Sequence, residues 1–194
     1  MGSKNKLKRF KENLNFKNLF QPLRNDLIKK SFKFSGKWNK LFFKNNNPII
    51  LELGCGKGEY ATRLAESNPD KNYIGIDIKG ARIWSGAKDS LEKNLKNVCF
   101  IRSQIELVDK LFSKNEIDEI WITFPDPQTK VQRKKHRLTN SNFMNIYKKI
   151  LRKEGLVNLK TDSEFLHSWD NSSVAYSNFE YRFFSTQLSA IVLC

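Results

Sequence analysis

Cysteine is scarce in this chain: Cys55, Cys99 and Cys194 are all there are. No two are spaced C-x-x-C and the number is odd, which argues against both a disulfide framework and a zinc site. Long apolar runs are missing as well. No stretch approaches the roughly 20 residues that cross a bilayer, and the basic N-terminus has no apolar segment of the kind that marks a secretory signal. Internal repeats and low-complexity linkers are absent. Acidic side chains are outnumbered 20 to 35 by Lys and Arg, leaving a formal net charge of +15. These absences point to a cytoplasmic protein with neither metal nor membrane partner. Its 194 residues suit one domain with an arm, and 39% hydrophobic and 28% charged residues suit a soluble globular chain. A balance this basic favours a polyanionic partner, such as nucleic acid or an anionic membrane surface.

Residues 1–47 differ from the rest. They hold thirteen Lys and Arg against only Glu12 and Asp26, interleaved with Phe10, Phe16, Phe20, Phe32, Phe34, Trp38, Phe42 and Phe43. The earliest part, Gly2 to Lys11, reads as a mobile basic arm. Basic residues mixed with aromatics suit RNA, since ammonium groups meet phosphates and rings stack on bases. For the rings alone, anchoring the arm to the main domain is the better reading.

Residues 48–194 read as the main domain. Ile49 to Leu53 is a short apolar run entering a glycine turn, hence a buried strand. Further strands are expected at Asn72–Asp77, Val98–Ile101, Ile117–Phe124 and Leu156–Leu159. Helices are expected at about Tyr60–Glu66, Ala81–Lys93, Ile105–Phe112 and Asn142–Leu151, with a cap in Thr139-Asn140-Ser141. Strands alternating with helices imply an α/β fold, a mostly parallel sheet with helices on both faces.

Three segments carry chemistry. The first is Glu52-Leu53-Gly54-Cys55-Gly56-Lys57-Gly58, directly after the first of these strands. Glycines here allow a tight turn and close backbone approach to a ligand. The spacing G-x-G-x-G differs from the dinucleotide G-x-G-x-x-G, whose third glycine position holds Glu59. A carboxylate at Glu52 suits a cationic ligand such as the sulfonium of S-adenosylmethionine. Asp77, ending the next strand, can accept hydrogen bonds from both ribose hydroxyls of a bound nucleoside. The second segment is Phe124-Pro125-Asp126-Pro127-Gln128-Thr129-Lys130, at the carboxyl end of a strand, where ligands bind in open α/β sheets. Two prolines restrict the backbone around Asp126. The third is Lys130 to Arg137, with five cations (Lys130, Arg133, Lys134, Lys135, Arg137) and no acid, suited to phosphates. His136 reads as an RNA-contact or surface histidine. Asp162, after Leu159-Lys160-Thr161, ends a strand on the same edge of the sheet.

Together, E-x-G-x-G-x-G, G-I-D-I, F-P-D-P-x-x-K, the basic R-K-K-H-R-L run and K-T-D resemble the bacterial tRNA (guanine-N7-)-methyltransferases over roughly Asn5 to His167. The resemblance implies a Rossmann-like class I methyltransferase fold and transfer of a methyl group from S-adenosylmethionine to guanine at position 46 of the tRNA variable loop. It implies cofactor contacts at Glu52, Gly54, Gly56, Gly58, Asp77, Gln104 and Asp126, with Asp126 also catalytic. It implies substrate contacts at Lys130 and Asp162, joined by Arg133, Lys134, Lys135 and Arg137 of the basic run. Gln104 stands where the family usually has Asp or Asn near the adenine, and Gln128 where many members have Trp. Nothing in residues 170–194 matches the family's Thr-x-Tyr-Glu motif and closing antiparallel strands. That departure implies cofactor binding with poor methyl transfer or none, the apolar end at Ala190–Leu193 partly covering the sheet edge as a substitute strand.

Guanine N7 carries an in-plane lone pair and no proton, so it can attack a sulfonium methyl in line without a general base. Catalysis would then be positioning and electrostatics, with the base flipped from its stack. Asp126 would accept from guanine N1–H and N2–H₂ or offset the charge growing on the ring. The alternatives are a non-catalytic RNA-binding protein that keeps the fold, a methyltransferase acting on another RNA base and, disfavoured by its glycine spacing, a nicotinamide dehydrogenase. Monomer and homodimer are equally compatible with the sequence.

Overall fold

The computed structural model describes residues 3–166 and 181–185. In chain order it has α1 (Ser3–Asn13), β1 (Leu19–Phe20), α2 (Arg24–Lys29), a short π-helical turn (Asn39–Phe43), β2 (Ile49–Leu53), α3 (Glu59–Ser67), β3 (Asn72–Asp77), α4 (Gly80–Glu92) and β4 (Val98–Arg102). Then come α5 (Val108–Leu111), β5 (Ile117–Thr123), a 3-10 helix (Val131–His136), α6 (Ser141–Ile150), β6 (Leu151–Thr161) and β7 (Tyr181–Ser185). Among the described residues seven strands make one sheet, ordered β1-β4-β3-β2-β5-β6-β7, and every adjacent pair is parallel. This is the expected α/β architecture. All five residues of β2 are buried, as an apolar strand covered on both faces should be.

Successive strands run outward from β2 in both directions, through β3 and β4 on one side and β5 and β6 on the other. The carboxyl end of β2 is therefore the switch point of the sheet, where a crevice opens between diverging crossovers. On one face Ile50, Tyr73, Val98 and Phe100 pack under Ala61 and Ala65 of α3 and Ile83 and Ala87 of α4. On the other, Leu51, Ile74, Ile120 and Leu159 pack with Leu111 of α5, Tyr147 of α6 and the N-terminal residues Leu27 and Trp38.

The N-terminal aromatics are packing groups. Trp38 is fully buried and donates from Nε1 to the Leu111 carbonyl at 3.0 Å. Phe34 and Phe20 lie 5.1 and 5.4 Å from its ring. The segment read as a mobile arm is instead helix α1 docked on α4. Arg9 donates to the Ala81 carbonyl at 3.1 Å and stacks 4.3 Å over Trp84, and Asn13 donates to the Gly80 carbonyl at 2.9 Å. Those partners lie some seventy residues away, so no local pattern announces them. Most other bounds differ from expectation by about one residue, and two elements differ by more. The stretch expected as a helix over Ile105–Phe112 divides into a 3-10 turn (Ile105–Leu107) and one turn of α5. Strand β6 begins at Leu151, because Leu151 pairs with Ile117 before the register shifts.

Candidate active site

The glycine turn leaves β2 at the switch point. Gly54, Gly56 and Gly58 all have positive φ, at 75°, 57° and 74°, a conformation that side chains with a Cβ resist. They differ in what surrounds them. A Cβ on Gly56 would meet nothing within 4 Å, and one on Gly54 only Leu138 at 3.9 Å, so this backbone is open above the turn. A Cβ on Gly58 would lie 2.4 Å from the Phe100 ring and 3.2 Å from the Gly86 Cα. Gly58 thus brings α3 against α4, a packing role that the motif alone did not reveal.

Asp77, at the end of β3, faces the same turn. Its Oδ2 accepts from the Gly56 amide at 2.9 Å and its Oδ1 from the Lys79 amide at 2.7 Å. Each carboxylate oxygen keeps a lone pair for a ligand. A cleft of about 300 Å³ opens beside it, walled by Gly54, Asp77, Ile78, Ser103, Gln104, Ile105 and Glu106 and closed by His136, Leu138 and Phe143. A second lobe of about 260 Å³ shares Ile78, Ser103 and Gln104 and continues to Arg24 and Arg102. Ile78 is half exposed between the lobes. Gln104 accepts from the Arg24 guanidinium through Oε1. This pairing across eighty residues gives the unusual glutamine a partner that the sequence does not display.

Glu52, expected to meet the cofactor, is buried beneath the turn. It is 4% exposed and lies outside the cleft walls. Its Oε2 accepts from the Ala61 amide at 3.1 Å, capping the start of α3, and its Oε1 from the Thr123 hydroxyl at 2.7 Å, tying β2 to β5. Burial pushes this carboxyl from its ordinary 4.5 to about 7. The two hydrogen bonds oppose the rise and the nearby Asp77 adds to it.

The Phe-Pro-Asp-Pro segment follows β5 at the same edge of the sheet. Phe124 and Gln128 both adopt left-handed conformations, with φ 47° and 46°. Asp126 is exposed between them, its Oδ1 accepting from the Gln128 amide at 3.0 Å. Lys130, Arg133, Lys134 and Lys135 are exposed, as a phosphate-facing run requires. Arg137 is not. It is 3% exposed, with its guanidinium on the Gln128 carbonyl, so the expectation that it faces phosphate is corrected. Asn140 caps α6, accepting from the Asn142 and Phe143 amides. Asp162 is exposed at the end of β6 on the same edge. Sequence reasoning missed His136, Leu138 and Phe143 as cleft walls. The signal was the position of His136 inside the basic run, which folds back over the glycine turn.

Of the expectations about residues 170–194, those on Asp170–Glu180 and Thr186–Cys194 lie outside the described residues. Tyr181–Ser185 forms a parallel strand on β6 where the resemblance implies antiparallel ones. No helix among the described residues is long and apolar enough to cross a membrane. No group of three or more His, Cys, Asp or Glu among them is placed to hold a metal ion.

Residues 46–189 match a family model described as putative methyltransferase. The chain is 62% identical over 169 residues to the tRNA (guanine-N(7)-)-methyltransferase of Christiangramia forsetii, covering 87% of this chain and 75% of that relative. It is 44% identical over 185 residues to the enzyme of the same name from Bacteroides fragilis, covering 95% and 73%. A solved structure described as an antibiotic related methyltransferase shares the fold, with a TM-score of 0.55 at 22% identity over 74% of each chain. On the family match and these identities, the chain belongs to the tRNA (guanine-N(7)-)-methyltransferase family.

Proposed function

We propose that this chain transfers a methyl group from S-adenosylmethionine to N7 of a guanine in tRNA, at position 46 of the variable loop. The observation that carries the reading is the fold-back of the basic run. His136 and Leu138, at its end, wall the same cleft as Gly54 and Asp77. A phosphate-attracting surface and a nucleoside-type cleft are therefore continuous at the switch point of the sheet.

The cleft fits the cofactor on three counts. The backbone above Gly54 and Gly56 is open. Asp77 has lone pairs left for ribose hydroxyls, and its grip on the Gly56 amide fixes the turn against them. The half-exposed Ile78, between the two lobes, offers an apolar face to a flat heterocycle, with Gln104 beside it. When bound, the cofactor supplies an electrophilic methyl on a cationic sulfur. Glu52 acts behind this wall: its charge lies below the turn, and its hydrogen bonds to Ala61 and Thr123 join the cofactor half of the site to the Asp126 half.

Asp126, exposed on a loop held by two prolines, accepts from the guanine Watson–Crick edge or offsets positive charge on the ring. N7 bears no proton, so no residue here removes one. Lys130, Arg133, Lys134 and Lys135 attract the tRNA backbone, and Asp162 lies on the same edge to meet the nucleotide. Calorimetry with S-adenosylmethionine tests the cofactor half. One site per chain is expected, with affinity falling by about 1–3 kcal/mol in Asp77→Ala, the cost of leaving ligand hydroxyls unpaired. Unchanged affinity in that variant would remove Asp77, and with it this placement of the cofactor.

A further inference from the structure

The loop that carries Asp126 is conformationally expensive. Phe124 and Gln128 flank the Pro125-Asp126-Pro127 turn, and both are side-chain-bearing residues in the left-handed region. Such residues are strained and persist only where surrounding structure imposes them. One end is held by the sheet: the Phe124 amide donates to the Lys160 carbonyl of β6 at 2.7 Å. The other end is held by a side chain. Arg137 donates from Nε at 3.1 Å and from Nη2 at 3.0 Å to the single carbonyl of Gln128.

Arg137 is built for that task. It is 3% exposed while Arg133, Lys134 and Lys135 beside it are exposed. Its guanidinium lies 4.7 Å from the Phe165 ring, and its own carbonyl accepts from the Asn140 side chain that caps α6. The guanidinium is thus anchored in a fixed plane, and two donors converging on one oxygen fix the orientation of Gln128. The Gln128 amide in turn donates to Asp126 Oδ1 at 3.0 Å.

We propose that Arg137, although it belongs by sequence to the phosphate-binding run, is a positioning residue: it locks Gln128 in its left-handed conformation and thereby fixes the direction in which Asp126 presents its carboxylate. The proposal rests on the reading of Asp126 as the guanine-facing carboxylate. It explains why one cation in the run is turned inward, and how the loop keeps its shape with Gln128 at its last strained position.

The test uses the full chain with Arg137→Lys and Arg137→Gln, with the double variant Lys134→Gln/Lys135→Gln as the phosphate-contact reference. Turnover on unmodified tRNA, tRNA affinity against salt, and amide exchange at Gln128 are measured. Misplacing a reacting group by about 1 Å costs roughly 100-fold, so Arg137→Gln should lower kcat about 10- to 100-fold. Arg137→Lys, which keeps one donor, should fall between it and the parent. Gln128 amide exchange should quicken in the same order, and the log–log salt slope should stay at the parental value in both. The lysine double variant should flatten that slope by about two units, one per lost phosphate contact. A slope flattened by one unit with kcat retained in Arg137→Gln would make Arg137 a phosphate contact and overturn the proposal. Parental Gln128 exchange in Arg137→Gln would overturn it as well. Should Arg137→Gln not fold, Arg137→Lys decides by the same readings. If Asp126→Asn leaves turnover at the parental value, the role of Asp126 itself fails, while Gln128 exchange still reports whether the clamp exists.

Discussion

Replacing Glu52 with glutamine should stabilise the chain above neutral pH and leave it no more stable in acid. In the folded state the carboxyl is 4% exposed and its pKa stands at about 7, against an ordinary 4.5, with burial the largest cause. Folding therefore takes up a proton between these values, and the stability present below pH 4.5 is lost as pH rises toward 7. The full separation corresponds to about 3 kcal/mol at 1.36 kcal/mol per unit, an upper bound for one buried group. Glutamine removes the ionisation but has one carbonyl oxygen where Glu52 uses two, for Ala61 and Thr123. Losing or reversing one of those bonds costs about 1 kcal/mol. The net expectation for Glu52→Gln is a gain of about 1–2 kcal/mol at pH 8, shrinking to zero or slightly below at pH 4. Urea unfolding of both chains from pH 4 to 8 measures it. The same variant should bind S-adenosylmethionine more weakly, because a cationic ligand favours the ionised carboxylate. A stability difference between the two chains that does not change with pH would show that folding does not raise the Glu52 pKa.

Gly58→Ala must place a Cβ 2.4 Å from the Phe100 ring at φ 74°, so it should lower stability by about 2–4 kcal/mol from overpacking and left-handed strain combined. Gly56→Ala, with open space around it, should cost stability only the strain while weakening cofactor affinity; denaturation and calorimetry on the pair separate the packing glycine from the ligand-facing one. Neutralising Lys130, Arg133, Lys134 and Lys135 together should flatten the log–log salt dependence of tRNA binding by up to about four units, measured by filter binding across salt concentrations, and an unchanged slope would mean that this surface does not meet the RNA backbone.

Five of the seven described strands were legible because they are short apolar runs closed by turn residues: Asn72–Asp77 has the same bounds in sequence and structure, and Ile49–Leu53 likewise, whereas β1, only two residues long, and β7 were not expected. The glycine turn and Asp77 were legible because their chemistry is local in the chain. What could not be read rests on partners distant in sequence. Helix α1 carries charge enough to suggest a solvated arm, yet Ala81, Gly80 and Trp84 hold it. Gly58 and Gly56 are indistinguishable in the motif, and their neighbours, Phe100 and Gly86 against open space, tell them apart. Arg137 shares its charge with its neighbours, and only its burial against Gln128 separates it from them. Glu52 was correctly seen as a carboxylate at the turn, but its two donors, Ala61 and Thr123, come from different elements that the fold brings together.

Incubating the chain with S-adenosylmethionine carrying a labelled methyl group and unmodified tRNA, then digesting the RNA to nucleosides, shows whether it methylates guanine N7. Label is expected in 7-methylguanosine, lost when the guanine at position 46 is replaced and strongly reduced in Asp126→Asn. Label in another nucleoside, or cofactor bound with no label transferred to tRNA, would contradict the proposed function.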